Sequence, residues 1–191
     1  MITRALLVLA FVTLLAAAPR PARTVDVAIE TTAGTIVVRL ETAKAPLTSA
    51  NFLRYVDARR YDGATFYRTV RAVFGGPVPA IQVLQGGLEQ TPTAAKFPPI
   101  PVESTTRTGL HNLAGTLAMA RTSEPNSATA EFFVNLADDR WLDADQFTDH
   151  QGYAVFARVI RGADVVAKIH RAPANGDALT PPIRILRMRR I

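Results

Sequence analysis

The 191-residue chain contains no cysteine, so neither a disulfide nor thiol chemistry is available to it. That absence does not identify a compartment; an oxidising one would simply do no harm. Histidine is scarce: His111, His150 and His170 stand far apart and show no metal-ligand spacing. Gly75-Gly76 and Gly86-Gly87 are not followed by a Lys-Ser/Thr pair, which excludes a phosphate loop. Ser123 and Ser127 sit in no glycine elbow, which removes the main support for a serine hydrolase. The acidic stretch Asp138, Asp139, Asp143, Asp145 and Asp149 lacks the glycine and terminal glutamate of a calcium loop and reads as a solvated loop. Charge is modest, at +6. The arginines are scattered apart from Arg184, Arg187, Arg189 and Arg190, and no aromatic platform is interleaved with them, so a nucleic-acid partner is not expected.

What is present is one domain's worth of chain, 48% hydrophobic and 20% charged, ahead of which residues 1–22 form a secretory signal. Arg4 supplies the positive start, Ala5 to Leu15 the apolar run, and Ala16-Ala17-Ala18 the small residues; Pro19 makes the cleavage point ambiguous. The run is short for a membrane span, and the alternative is an uncleaved anchor. Either way the domain at 23–191 is expected outside the cytoplasm, in the periplasm, with no further membrane contact.

Apolar and polar residues alternate through Val25–Ile29 and Ile36–Leu40 around a Thr32-Ala33-Gly34 turn, the pattern of a hairpin. Pro46 suits the first turn of a helix whose buried face carries Phe52, Tyr55 and Val56. Strands are expected at 64–70, 80–85, 115–120, 131–135, 153–160 and 183–188, and a second helix at 162–171 with Val165, Val166 and Ile169 inward. The stretch 71–79, with Gly75-Gly76-Pro77 and Pro79, is a loop that either touches substrate or is neutral. Thr91 to Thr108, rich in proline and threonine, reads as an ordered loop wrapped on the domain. Many strands, two helices and turn-rich connections describe a mainly β, closed antiparallel barrel.

Four pieces make the assignment specific: Phe66-Tyr67-Arg68, Gln85-Gly86-Gly87, Gly115-Thr116-Leu117-Ala118-Met119-Ala120 and Glu131-Phe132-Phe133. In this order they resemble the cyclophilin family of peptidyl-prolyl isomerases, over the chain from about Val25 to its end. The resemblance implies an eight-stranded antiparallel barrel capped by two helices, with its interior filled and its site on the outer face. It implies a monomeric isomerase of Xaa-Pro bonds in unfolded or folding polypeptides, needing no cofactor and no metal.

The resemblance also implies roles. Arg68 matches the catalytic arginine, and Gln85 the glutamine that holds the substrate backbone and orients that arginine. Val83, Phe133 and Leu142 match the proline pocket, with Phe66 behind the strand. Trp141 and Tyr153 match rim positions, and Ala120 and Arg121 the edge that pairs with the peptide backbone. The chain departs from the family's pattern at four places. Gln82 stands where many members have phenylalanine, Glu131 where many have glutamine, Tyr153 where eukaryotic members often have histidine, and Arg121 where asparagine is common. Glu131 either pairs with Arg68 and fixes its pose or competes with substrate for it. With Gln82, it leaves open a second reading: a proline-peptide-binding holdase or scaffold module with little turnover.

Overall fold

The computed structural model describes residues 24–71, 81–91 and 95–191. The signal segment 1–22, the loop at 72–79 and the expected strand start at Ala80 lie outside the described residues.

Among the described residues, nine strands and three α-helices follow in the order β1 (Val25–Thr31), β2 (Gly34–Leu40), α1 (Pro46–Asp57), β3 (Thr65–Arg71), β4 (Gln82–Gly87), α2 (Thr105–Thr108), β5 (Thr116–Met119), β6 (Phe132–Asn135), β7 (Val155–Arg161), α3 (Ala163–His170), β8 (Ala174–Asn175) and β9 (Ala178–Arg190). Eight strands close into an antiparallel barrel in the order β1-β2-β7-β5-β6-β4-β3-β9, with β9 pairing back onto β1. The two-residue β8 only flanks β9. The hairpin read at Val25–Leu40 is β1 and β2, paired from Val25 with Leu40 to Thr31 with Gly34.

Helix α1 starts at Pro46, whose missing N–H costs nothing in a first turn. It follows the Leu40 end of β2, whereas α3 reaches the opposite end, where Lys168 Nζ donates to Ala33 O at 3.5 Å. Both helices bury their apolar stripes in the barrel: Phe52, Leu53, Tyr55 and Val56 from α1, Val166 and Ile169 from α3. The third helix, a single turn at Thr105–Thr108, lies in the stretch expected to be irregular. Gly109, at positive φ, ends it.

Alternation along the strands separates two apolar clusters. One fills the interior and includes Ile29, Val38, Phe66, Leu84, Leu117, Phe132, Val134 and Phe156. Its aromatic rings meet at tilted or edge-on angles, with Phe132 5.5 Å from Phe52 and 5.8 Å from Phe66. The other lies on the outside of the same wall: Val83, Ala118, Phe133, Leu142 and Val155, flanked by Val70, Ile81, Ala120, Phe147 and Tyr153. The first cluster packs the interior, and the second leaves apolar surface on the outer face.

Candidate active site

A β-bulge on β3 creates the centre of that face. Phe66 pairs with Gly86 and Arg68 with the adjacent Gln85, so Tyr67 is the extra residue. Strict alternation would send Arg68 inward with Phe66. The bulge instead sends Tyr67 and Arg68 outward together, and Thr69 returns to the buried side. Across the ladder, Gly86 leaves room for the Phe66 ring; a Cβ there would lie 2.7 Å from its Cδ1. Gly87, at φ 146°, carries no side chain because the Glu131 carboxylate packs over it.

Arg68 is 45% exposed and held at two points. Its Nη1 donates to Gln85 Oε1 at 3.1 Å, and its Nη2 donates to Asp177 Oδ2 at 2.9 Å. Glu131 does not touch it. Just ahead of β6, Glu131 lies level with the end of β4, where it accepts from Leu88 N at 3.0 Å and pairs with Lys96 Nζ at 3.3 Å. Tyr67 stands between, donating to Glu131 Oε2 at 3.0 Å. The direct ion pair considered from the sequence is therefore replaced by Arg68–Asp177. Burial first, and then the Glu131 charge, push the Tyr67 phenol far above its ordinary range and keep it protonated.

Beside Arg68 opens an apolar hollow of about 310 Å³, lined by Val70, Ile81, Val83, Phe133, Leu142, Phe147 and Tyr153 together with Arg68, Gln85, Ala120 and Arg121. Eight of the ten residues expected at the site, Arg68, Gln85, Val83, Ala120, Arg121, Phe133, Leu142 and Tyr153, thus share one wall. Glu131 lines a second, more polar hollow of about 360 Å³ on the other side of a ridge made by Arg68, Gln85, Ala120 and Arg121. Trp141 joins neither hollow; it is 51% exposed on a short 3-10 turn. Gln82 does not line the apolar hollow either, and Val70, Ile81 and Phe147 complete its wall instead.

Arg121 stays within its own framework. It donates to Gly152 O at 2.9 Å, pairs with Asp149, and lies 4.8 Å over the Tyr153 ring. Its side chain is 3% exposed, so it fixes the rim ring in place. Tyr153 then meets Phe133 and Phe147 edge-on at 5.5 and 5.1 Å.

The acidic stretch read as a solvated loop is largely an internal scaffold. Asp143, fully buried, accepts from Asn112 N at 2.8 Å, Asn112 Nδ2 at 2.9 Å and His111 Nδ1 at 2.8 Å. Asp139, also fully buried, accepts from Gln82 N at 3.2 Å, and burial raises its carboxyl to about 6. Asp149 accepts from Gln151 N and Gly152 N. These carboxylates satisfy backbone N–H groups and hold Leu142, Phe147 and Tyr153 against the barrel.

The sequence alone does not single out Tyr67, Phe147 or Asp177 as site residues. Tyr67 carries a signal only as the middle of Phe-Tyr-Arg. Phe147 sits in the acidic loop and Asp177 in an Asn-Gly-Asp turn, neither of which points to Arg68. Among the described residues, no three His, Cys, Asp or Glu side chains gather to hold a metal ion.

The family model "cyclophilin type peptidyl-prolyl cis-trans isomerase/CLD" matches residues 24–190. A peptidyl-prolyl cis-trans isomerase of Acinetobacter baylyi is 41% identical over 149 residues, covering 78% of this chain and 73% of its own. Peptidyl-prolyl cis-trans isomerase B of Escherichia coli is 38% identical over 144 residues, covering 75% of this chain and 82% of its own. Among solved structures, a cyclophilin-type isomerase of Cryptosporidium parvum superposes with a TM-score of 0.72 at 19% identity, over 88% of this chain and 98% of that one. Barrel topology, outer-face hollow and sequence match agree, and the chain belongs to the cyclophilin-type peptidyl-prolyl cis-trans isomerase family.

Proposed function

We propose that the outer face isomerises Xaa-Pro bonds, with the proline ring seated among Val83, Phe133, Leu142 and Tyr153 and Arg68 acting on the amide. The observation that carries this is a restrained guanidinium on the rim of an apolar hollow. Rotation of a prolyl bond breaks amide resonance against a barrier of roughly 18–20 kcal/mol. Catalysis needs no nucleophile, only a surface that favours the twisted amide over both planar forms. As the amide twists, its nitrogen becomes pyramidal and gains a lone pair. An N–H aimed at that nitrogen stabilises the twisted state selectively, and about 1.4 kcal/mol of such stabilisation gives about tenfold in rate. A guanidinium stays charged at every relevant pH and cannot be lost as a donor. The apolar wall holds the ring, and the edge at Ala120 and Arg121 offers backbone for strand-like pairing with the peptide.

The binding-only reading rests on Glu131 and Gln82, and Gln82 lies outside the apolar hollow. Glu131 faces Tyr67, Leu88 and Lys96, so nothing specific supports that reading. We further propose that the domain acts outside the cytoplasm, on the strength of the basic start and apolar run before Pro19, and as a monomer, as the family resemblance implies. Cell fractionation and N-terminal sequencing of the mature protein test the location; light scattering tests the monomer. The activity is tested by following cis-to-trans exchange of a short Ala-Pro-Phe peptide by NMR. Exchange should accelerate in proportion to added protein. Binding without faster exchange would instead mark a holdase.

A further inference from the structure

Arg68, Gln85, Tyr67 and Glu131 form one continuous hydrogen-bonded chain, with steps of 3.1, 2.8 and 3.0 Å. From these contacts we infer that Tyr67 and Glu131 are positioning residues for the isomerase reaction: they fix the Gln85 amide so that its oxygen always faces Arg68. The inference rests on the isomerase reading above.

The direction of each step follows from the donors available. A carboxylate only accepts. Glu131 Oε1 is already taken by Leu88 N–H and Lys96, and Oε2 takes the single proton of the Tyr67 hydroxyl. The phenol oxygen can then only accept toward Gln85, so it receives Gln85 Nε2. That leaves Gln85 Oε1 facing Arg68, which has donors only. A flipped Gln85 would set its NH2 against the guanidinium and its oxygen against the lone pairs of Tyr67. One amide orientation survives, and with it one pose for Nη1, while Asp177 holds Nη2.

The same logic shows why a carboxylate stands at 131. Glutamine has one acceptor oxygen where two are used. If that oxygen keeps Leu88 N–H, its NH2 faces Tyr67, the phenol proton turns to Gln85, and the Gln85 amide flips its NH2 toward Arg68. A neutral isostere at 131 should therefore reverse the polarity of the whole chain. The structure supplies further support: Gly87 has no side chain where the carboxylate sits, and a Cβ there would run into it.

The test uses Tyr67→Phe, Glu131→Gln and the double variant in the purified protein, with folding checked by circular dichroism. Expected is a fall in kcat of roughly five- to thirtyfold for each single variant, the scale of one lost hydrogen bond to a charged network. KM should move less than kcat, because the apolar side chains that line the hollow are untouched. The double variant should be no worse than the worse single, since either change breaks the same chain. The side-chain amide resonances of Gln85 report the geometry independently of activity, and both single variants should shift them. A merely structural role would lower the melting temperature and leave kcat and those resonances in place; that outcome, or additive losses in kcat, overturns the inference. If the wild-type protein shows no turnover, the isomerase reading fails, while the Gln85 resonances still decide whether the chain exists. Should Tyr67→Phe not fold, Glu131→Gln against wild type carries the same comparison.

Discussion

Phe132 and Phe133 are neighbours on β6, yet they serve opposite sides of the barrel wall. Phe132 is fully buried among Phe52, Tyr61 and Phe66 and has no free face. Phe133 is nearly as covered, but one side of it lines an open hollow. The inner face is packed for stability. The outer face is an unfinished core, apolar like the interior but lacking one partner ring, which a proline can supply. Period-two alternation lets one strand serve both purposes.

The sharpest way to break this comparison is to truncate each ring. Phe132→Ala should cost about 3–5 kcal/mol of stability, because the close-packed interior relaxes poorly around a new void. Denaturant titration measures it, and activity per folded molecule should change little. A small loss would show the interior to be looser than its ring contacts imply.

Next in size is the pH response of the loop that walls the hollow. The Asp139 carboxyl sits at about 6 in the fold against an ordinary 3.8. The folded state therefore binds the proton more tightly than the unfolded chain does. This group's contribution to stability is full below pH ~4 and is lost as pH rises through ~6, on the order of 2–3 kcal/mol. Asp139→Asn should remove that slope, so the stability difference between variant and wild type should change between pH 4 and 7. A constant difference would mean that Asp139 is no more desolvated than a surface carboxylate.

Phe133→Ala sharpens the comparison from the other side. Its cavity is already open, so stability should fall less than for Phe132→Ala. The peptide Kd should rise by roughly tenfold, the scale of one lost apolar wall. Equal stability losses for the two variants would erase the distinction between the faces. Asp177→Asn should give the smallest effect, a few-fold drop in kcat, since the Arg68–Asp177 pair is half exposed and such pairs contribute about 0–1 kcal/mol.

Much of this architecture was legible in the sequence. The Val25–Leu40 hairpin and α1 from Pro46 follow from alternation and helical spacing; alternation also turns one of Phe132 and Phe133 outward, and the family resemblance says that it is Phe133. Arg68, Gln85 and the pocket residues came through their motifs. Other features were not legible, for identifiable reasons. Alternation misplaces Arg68 because a bulge has no composition signal of its own. The final strand was expected at 183–188 but runs from Ala178 to Arg190, since its ladder skips from Arg68–Ala178 to Phe66–Ile183 and so accommodates Pro181 and Pro182 unpaired. Buried aspartates look like solvated ones until the backbone amides they serve are placed. Trp141 matched a rim position by motif, yet local chain geometry leaves it outside both hollows.

On the proposed function, the outer face divides into an apolar half that would bind the proline and a polar half, centred on Arg68, that would accelerate rotation. The most direct test measures peptide binding and cis-to-trans exchange on one sample of Arg68→Ala. Binding should persist within a few-fold of wild type while kcat/KM falls by at least roughly tenfold, with circular dichroism unchanged. Wild-type exchange rates in Arg68→Ala would contradict this division and remove the guanidinium from the chemistry.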